Sequence, residues 1–560
     1  MRKNSIQAVP PSLQWLTTIL LMFLLVSCDR PQQEKNVQSQ DAARQSSSSD
    51  TLVLAIGGEE EQGYDPVMGW GRYGSPLFQS TLLRYNDSLE VEYDLATAYS
   101  VSEDRLSWQV EIRGDVLFSD GMPLTAQDVA YTYNTAKASG GLVDLSFMDR
   151  AEAVGDHRVI FHLLKPRSTF LHHLRTLGIV PKHAHNKDYS RHPIGSGPYA
   201  MVRWDEGQQL IVEANPLYYG KQPAIKRLVF LFLDADTAFA AAQAGTVQVA
   251  AVPQILADKA VSGMRLVRVT SVDNRGIMFP CQKADHADLN GLPVGNDVTA
   301  DPAIRQAINY AIDRQALVEG VLNGFGTPAY GSVSHLPWEE MATRIKDNDL
   351  DKAAALLKEA GWADQDQDGI LDKNGVAAEF TLFYPADRLI RQSLALAVAD
   401  MVAPLGIRMK LSGKSWDEIR KVQHAQAVLF GWGSYDPTEM YHLYHSEVSG
   451  QGYFNAGLYQ NPTVDAYLDQ ALAAATQEEA EQFWRAAQWD GNTGLAPQGD
   501  APWAWLVNLD HTYLVSEGLD IGTTRVEPHG HGWPITANIV DWQWKKDTGE
   551  KKGQGAQGKP

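Results

Sequence analysis

Residues Trp108-Gln109-Val110-Glu111-Ile112 alternate apolar and polar side chains. They run on through Arg113-Gly114-Asp115-Val116-Leu117-Phe118-Ser119-Asp120-Gly121 to Leu124-Thr125-Ala126-Gln127-Asp128-Val129. Alternation with period two is the pattern of a half-exposed strand, whose successive side chains point to opposite faces. Thr125 and Asp128 then stand at the spacing of a helix cap, and Val129, Tyr133 and Ala136 recur on one helical face. A strand, a turn and a capped helix in close succession make this stretch α/β.

From Thr51 onward, strand-like and helix-like segments alternate along the chain. Leu52-Val53-Leu54-Ala55-Ile56 ends at Gly57-Gly58 and reads as a buried strand. Asp301-Pro302 opens a helix whose apolar stripe is Ile304, Ile308, Ala311 and Ile312. Helices are expected at about 351–360, 393–402, 463–475 and 478–489, with a strand at 407–411 after the Pro404 and Gly406 breaks. No repeat of 20–50 residues is visible, so solenoids and propellers are excluded.

The chain has 560 residues, more than one hydrophobic core usually supports, so two or more domains are expected. Its 48 basic and 68 acidic residues give a net charge of −20, without the basic footprint of a nucleic-acid binder. With two cysteines, Cys28 and Cys281, a disulfide framework is excluded. Arg2 and Lys3 precede an apolar run at 16–26, short of the roughly 20 residues a membrane span needs, which reads as a secretory signal. Leu25-Val26-Ser27-Cys28 closes that run and resembles a bacterial lipobox. The resemblance implies a signal peptide at 1–27, lipid on Cys28, and a Gln/Ser-rich tether at 28–50. Residues 546–560, rich in Lys and Gly, read as a disordered tail.

Five separated stretches together resemble the extracytoplasmic solute-binding proteins of ABC importers, in the peptide/nickel/opine family. They are the segment from Asp94 to Val129, then Ile194-Gly195-Ser196-Gly197-Pro198-Tyr199 with Tyr218-Tyr219, and Ile304 to Arg314. The others are Ala353 to Trp362 with its Asp-Gly turn, and Gly431-Trp432-Gly433 with Asp436-Pro437. The resemblance implies an α/β, two-lobed periplasmic-binding-protein fold with an extra subdomain in lobe I and a ligand cleft between the lobes. Lobe I is expected at 51–90, 195–295 and 505–545, its subdomain at 91–194 and lobe II at 296–504. It also implies a monomeric, lipid-anchored receptor outside the cytoplasm, on the periplasmic face of the inner membrane if Gram-negative. Such a receptor works with permease and ATPase subunits and has no resident cofactor.

Candidate ligand contacts are Trp432 and Tyr435 in a Gly-rich turn, and Trp70, Arg72 and Tyr73 in a second one, Gly69 to Gly74. Aromatic rings can wall a small solute, and the planar fork of an arginine suits a carboxylate. Arg275 fits the same role, or forms an ion pair with Asp273. Phe147 and Arg150 stand roughly where nickel-type relatives present an aromatic and a basic residue. His442 and His445, three apart, could share a helix face, and His529 and His531 flank Gly530. Asp364, Asp366 and Asp368 begin like a calcium loop, but its twelfth position is Gly375 rather than glutamate. No catalytic motif supports the competing class, an exported hydrolase: there is no Gly-x-Ser-x-Gly elbow and no His-Glu-x-x-His. A passive scaffold is the third class. Among ligands, a nickel or other metal chelate of opine or histidine type ranks first and a di- or oligopeptide second.

Overall fold

The computed structural model describes residues 50–545 except 61, 74–76, 141, 285–290 and 531. The lipobox with Cys28, the tether before residue 50, the 546–560 tail and His531 lie outside the described residues. Among those described, no helix is long and apolar enough to cross a membrane.

Two sheets organise the two lobes. The seven-stranded one orders Met264–Val269, His511–Ser516, Val249–Ala251, Thr51–Ala55, Arg227–Leu231, Gln209–Ala214 and Tyr199–Asp205. The six-stranded one orders Gly326–Pro328, Trp503–Leu509, Asn274–Met278, Ala427–Phe430, Glu379–Pro385 and Arg408–Lys414. Trp503–Leu509 is buried along its whole length because both faces of its sheet are covered. Ala504 and Leu506 pack with Ile304, Ile308 and Leu394 from helices on one side. Trp503 and Trp505 pack with Leu468 and Trp484 from helices on the other.

A smaller sheet of Ala96–Val101, Ser107–Ile112, Arg158–Leu163 and Met148–Ala153 carries the subdomain, covered by the helix Ala126–Ser139. Its central strand alternates buried and half-buried residues, as its sequence pattern requires. The helix starts with a complete capping box: Asp128 accepts from the Thr125 amide at 2.9 Å. Pro302–Ala311 likewise begins where Asp301 caps Ala303.

The lobe boundaries need correction. Asn274–Met278, expected in lobe I within 195–295, pairs with Ala427–Phe430 and Trp503–Leu509 in the second sheet. One crossing therefore falls between Val269 and Asn274. A second falls between Leu509 and His511, so Trp503–Leu509 belongs to the second sheet and not to a lobe I segment starting at 505. The physical reason is pairing: Gly276 sits so close under Trp505 that an added Cβ would lie 2.6 Å from the indole.

Candidate functional site

The loop that leaves Ala427–Phe430 is the floor of the site. Asn274 holds it from both sides: its amide donates to the Trp432 carbonyl at 2.9 Å, and its side chain accepts from the Trp432 amide at 3.0 Å. Gly433 has φ 147° and its Cβ position would lie 2.5 Å from the Val272 carbonyl oxygen, so no larger residue fits there. Facing this loop is the short subdomain helix Phe170–Thr176, with Arg167 just before it and His172 and His173 on it. Trp70, Arg72 and Tyr73 follow the 3-10 turn Pro66–Met68 in lobe I. Together with Asp436, Glu439 and His442 these residues enclose a cavity of about 270 Å³.

Many polar atoms around it are buried without a hydrogen-bond partner. Arg167 Nε, His172 Nδ1, Trp432 Nε1, Thr438 Oγ1 and Glu439 Oε1 are all in this condition. Arg167 is only 8% exposed and has no ion pair among the described residues. Its guanidinium instead lies 5.0 Å from the centre of the Phe147 ring. Buried donors and acceptors are normally satisfied, because each unmade bond costs about 1–3 kcal/mol.

Burial drives the His172 imidazole down to about 3, so it is neutral at pH 7. Asp436 is opposed by burial as well, yet the neighbouring histidines and the Thr438 amide hold it at about 2, ionised. Burial, reinforced by the Asp436 carboxylate, lifts Glu439 to about 8, so it carries a proton at neutral pH. Burial also lowers His442, leaving an imidazole with a free lone pair, stacked on Phe454 at 4.1 Å. Arg72 and Arg167 then face two carboxylates, Asp144 and Asp436, and the cavity is close to charge balance. It can accept a small solute that carries both an anionic and a cationic or metal-bearing end.

The structure gathers Trp70, Arg72, Tyr73, Trp432 and His442 into this one cavity. The Arg72 guanidinium lies over the Tyr73 ring at 4.6 Å. Other expected contacts fall elsewhere. Tyr435 turns from this cavity to line the larger one beside it: its hydroxyl donates to the Val526 carbonyl and its ring edges Tyr85 at 5.4 Å. Arg275 forms the alternative ion pair with Asp273 at 2.5 Å and is not among the residues lining this cavity. Phe147, 3% exposed, packs in the subdomain core and supports Arg167 from behind. Arg150 is exposed on the outer face of its sheet, paired with Asp149 at 2.7 Å.

His442 and His445 do not make a metal pair. The helix Thr438–Tyr444 ends before His445, which stacks on Tyr441 at 4.2 Å and accepts the Glu447 amide at 3.0 Å. Asp364 and Asp366 come together with Asp372 rather than Asp368, their carboxylate oxygens within 4.8 Å of one another. Asp368 instead caps Ile370. Sequence reasoning missed Arg167, His172, His173 and Glu439. A signal for His172 and His173 was present in Phe170-Leu171-His172-His173-Leu174-Arg175, where basic residues occupy the polar side of a short helix; Arg167 and Glu439 lie outside that stretch.

Two sheets joined by crossing strands, with a polar, incompletely satisfied cavity between them, define a two-lobed solute-binding protein. The family model of bacterial extracellular solute-binding proteins, family 5, middle region, matches residues 90–454, and the chain belongs to that family. Protein XP55 of Streptomyces lividans is 33% identical over 503 residues, spanning 86% of this chain and 87% of XP55. The oligopeptide-binding protein AppA of Bacillus subtilis is 26% identical over 502 residues, 84% and 89% of the two chains. Among solved structures, NikZ from Campylobacter jejuni in complex with Ni(L-His) has a TM-score of 0.75 at 25% identity, covering 88% of this chain and 99% of NikZ.

Proposed function

We propose that this chain is the lipid-anchored receptor of an ABC importer, capturing a small carboxylate-bearing solute and delivering it to a permease driven by an ATPase. The solute ranked first is a nickel or other metal chelate of the amino-acid or opine type. The observation that carries this reading is the set of unanswered polar atoms around the 270 Å³ cavity, Arg167 Nε, Trp432 Nε1 and Glu439 Oε1 among them. Arg72 and Arg167 would take carboxylate groups of the chelate, Trp432 and Tyr73 would wall it, and the His442 imidazole is placed to offer one nitrogen to its metal. A lipid on Cys28 would keep a monomeric receptor close to the transporter and raise the local concentration of captured solute.

A short peptide is the second reading. Its support is the charge balance, since the same cavity is lined by Arg167 and Asp436, which suit the two ends of a zwitterion. Calorimetry decides between the two, using nickel with L-histidine against glycylglycine and glycylglycylglycine. The chelate is expected to bind tightly, and Trp432→Ala to weaken it about ten-fold, the loss of one stacking wall. Tight peptide binding with no response to the chelate reverses the ranking. Silence toward both, with no thermal shift of the kind ligand binding must produce, removes the receptor reading.

A further inference from the structure

Behind Arg167 and His172, which line both spaces, lies a second and larger cavity of about 390 Å³. It opens between the subdomain and the helices of lobe II, which touch directly: Ser168 donates to the Leu472 carbonyl at 2.7 Å and to the Ala471 carbonyl at 2.8 Å. Trp108, Trp338 and Trp484 form its walls with Tyr85. We infer that this chamber binds an apolar, ring-sized group ending in a carboxylate, so that the receptor recognises a two-part solute. The inference rests on the receptor reading above.

Arg175 carries the argument. It shares a helix face with His172 three residues earlier, and both line the chamber. Its guanidinium lies over the Tyr85 ring at 4.0 Å. Its Nε is buried without a hydrogen-bond partner, and it has no ion pair among the described residues. Arg167 and Thr169 add two more unanswered polar atoms, Nε and Oγ1.

The acids nearby compensate only in part. Glu481 is held by Arg485 at 2.9 Å, Glu478 is exposed, and Asp436 acts on Arg175 through space without forming an ion pair with it. A chamber that only filled space would be apolar throughout, because an unpaired buried cation is expensive. An aromatic wall with an unpaired guanidinium at one end is complementary to a ring bearing an anion. The volume lies within the usual range for small-molecule pockets, about 300–1,000 Å³.

The test follows fluorine NMR of 4-fluorophenylacetate and of its uncharged amide, 4-fluorophenylacetamide, with the mature protein. The acid is expected to show saturable line broadening and to bind at least ten-fold more tightly than the amide. Arg175→Gln should reduce the acid to the level of the amide, and nickel with L-histidine should not displace it. Because acid and amide are compared on the unmodified protein, a poorly folding variant does not blunt the test. Equal binding of the two probes, or none of either, overturns the chamber. If the protein binds nickel–histidine yet treats acid and amide alike, the receptor reading stands and the chamber falls. If it holds the acid through Arg175 but ignores chelates and peptides, the chamber stands and the first-cavity ligand is wrong.

Discussion

Two clusters of buried charge meet at opposite ends of the Trp432 loop, and they are completed in opposite ways. At the lobe crossings Asp273, 4% exposed, faces Arg275 at 2.5 Å, His511 at 3.5 Å and His529. Glu527 accepts from Tyr513 at 2.8 Å and meets His511 Nδ1 at 2.6 Å. Burial opposes these charges, yet Arg275 and His529 hold the Asp273 carboxyl well below its usual range. Against the burial of His511, Asp273 and Glu527 in turn lift it to about 10. In the cleft, Arg167, His172, Trp432 and Glu439 have comparable burial and unfilled bonds. The same residue types thus serve two purposes. One network, closed except at Glu527 Oε1, fixes where the lobes join, and under the proposed function a solute completes the open one.

The largest expected effect comes from breaking the closed network. Asp273→Asn leaves Arg275 without its carboxylate and takes one acidic partner from His529 and from His511, which keeps Glu527; removing one partner of a buried ion pair costs about 3–5 kcal/mol. Urea unfolding should show a loss of that size. A loss below about 1 kcal/mol would mean the crossing network contributes little, and the contrast with the cleft would fail.

The next effect should appear in binding and not in folding. Arg167→Met removes a buried charge that Asp436 and Asp144 offset only from a distance, with no ion pair among the described residues, so stability should be unchanged or higher. Affinity for the cognate solute should fall by about 30- to 150-fold, the value of a charge-assisted hydrogen bond of roughly 2–3 kcal/mol. Calorimetry and urea unfolding on the same variant separate the two quantities. Destabilisation with unchanged affinity would make Arg167 a structural residue and erase the distinction.

This contrast also explains what the sequence could reveal. Strand periodicity in Trp108 to Ile112 and the caps at Thr125 and Asp301 are local properties, and the corresponding elements form where expected. The crossing was misplaced because Asn274–Met278 has a Gly and an Arg at its centre, and its sheet is set by Trp503–Leu509, more than two hundred residues away. Aromatic and glycine clusters made Trp70, Arg72, Tyr73 and Trp432 legible. Arg275 and Arg167 were not separable by type, since the difference between them is the presence of Asp273 beside one and no acid paired with the other. Partnership is a tertiary fact. Only where both partners are close in sequence, as Asp273 and Arg275 are, does the chain hint at it.

Glu439 sharpens the comparison through pH. Its folded value, about 8, lies above the ordinary 4.5 of a free glutamate, with burial as the main cause. The protonated native form is therefore favoured at low pH, and the contribution of Glu439 is fully present below about 4.5. It is lost as pH rises through 8, because over that window the folded state holds a proton that the unfolded state has released. Urea unfolding of Glu439→Gln and the unmodified protein at pH 5, 7 and 9 should show the unmodified protein losing stability relative to the variant as pH rises. Parallel curves would mean that Glu439 is ionised in the fold and satisfied by groups other than the Gly433 amide, which donates to its Oε2 at 3.2 Å.

The smallest effect is expected at Arg150. It lies outside both cavities, exposed beside Asp149 at 2.7 Å and Glu152 at 3.7 Å. Each of those carboxylates is about as exposed as the guanidinium, so the pairs are screened by water, and exposed ion pairs contribute at most about 1 kcal/mol. Arg150→Ala should change stability by less than about 0.5 kcal/mol and leave solute affinity within two-fold. The informative feature is its pairing with Arg167→Met, since both substitutions delete one arginine from the same subdomain. A ten-fold loss of affinity at Arg150 would show that the subdomain swings this outer face toward the cleft when solute is bound. The closed cavity would then be one of two binding geometries, and the unfilled bonds around Arg167 would no longer single it out.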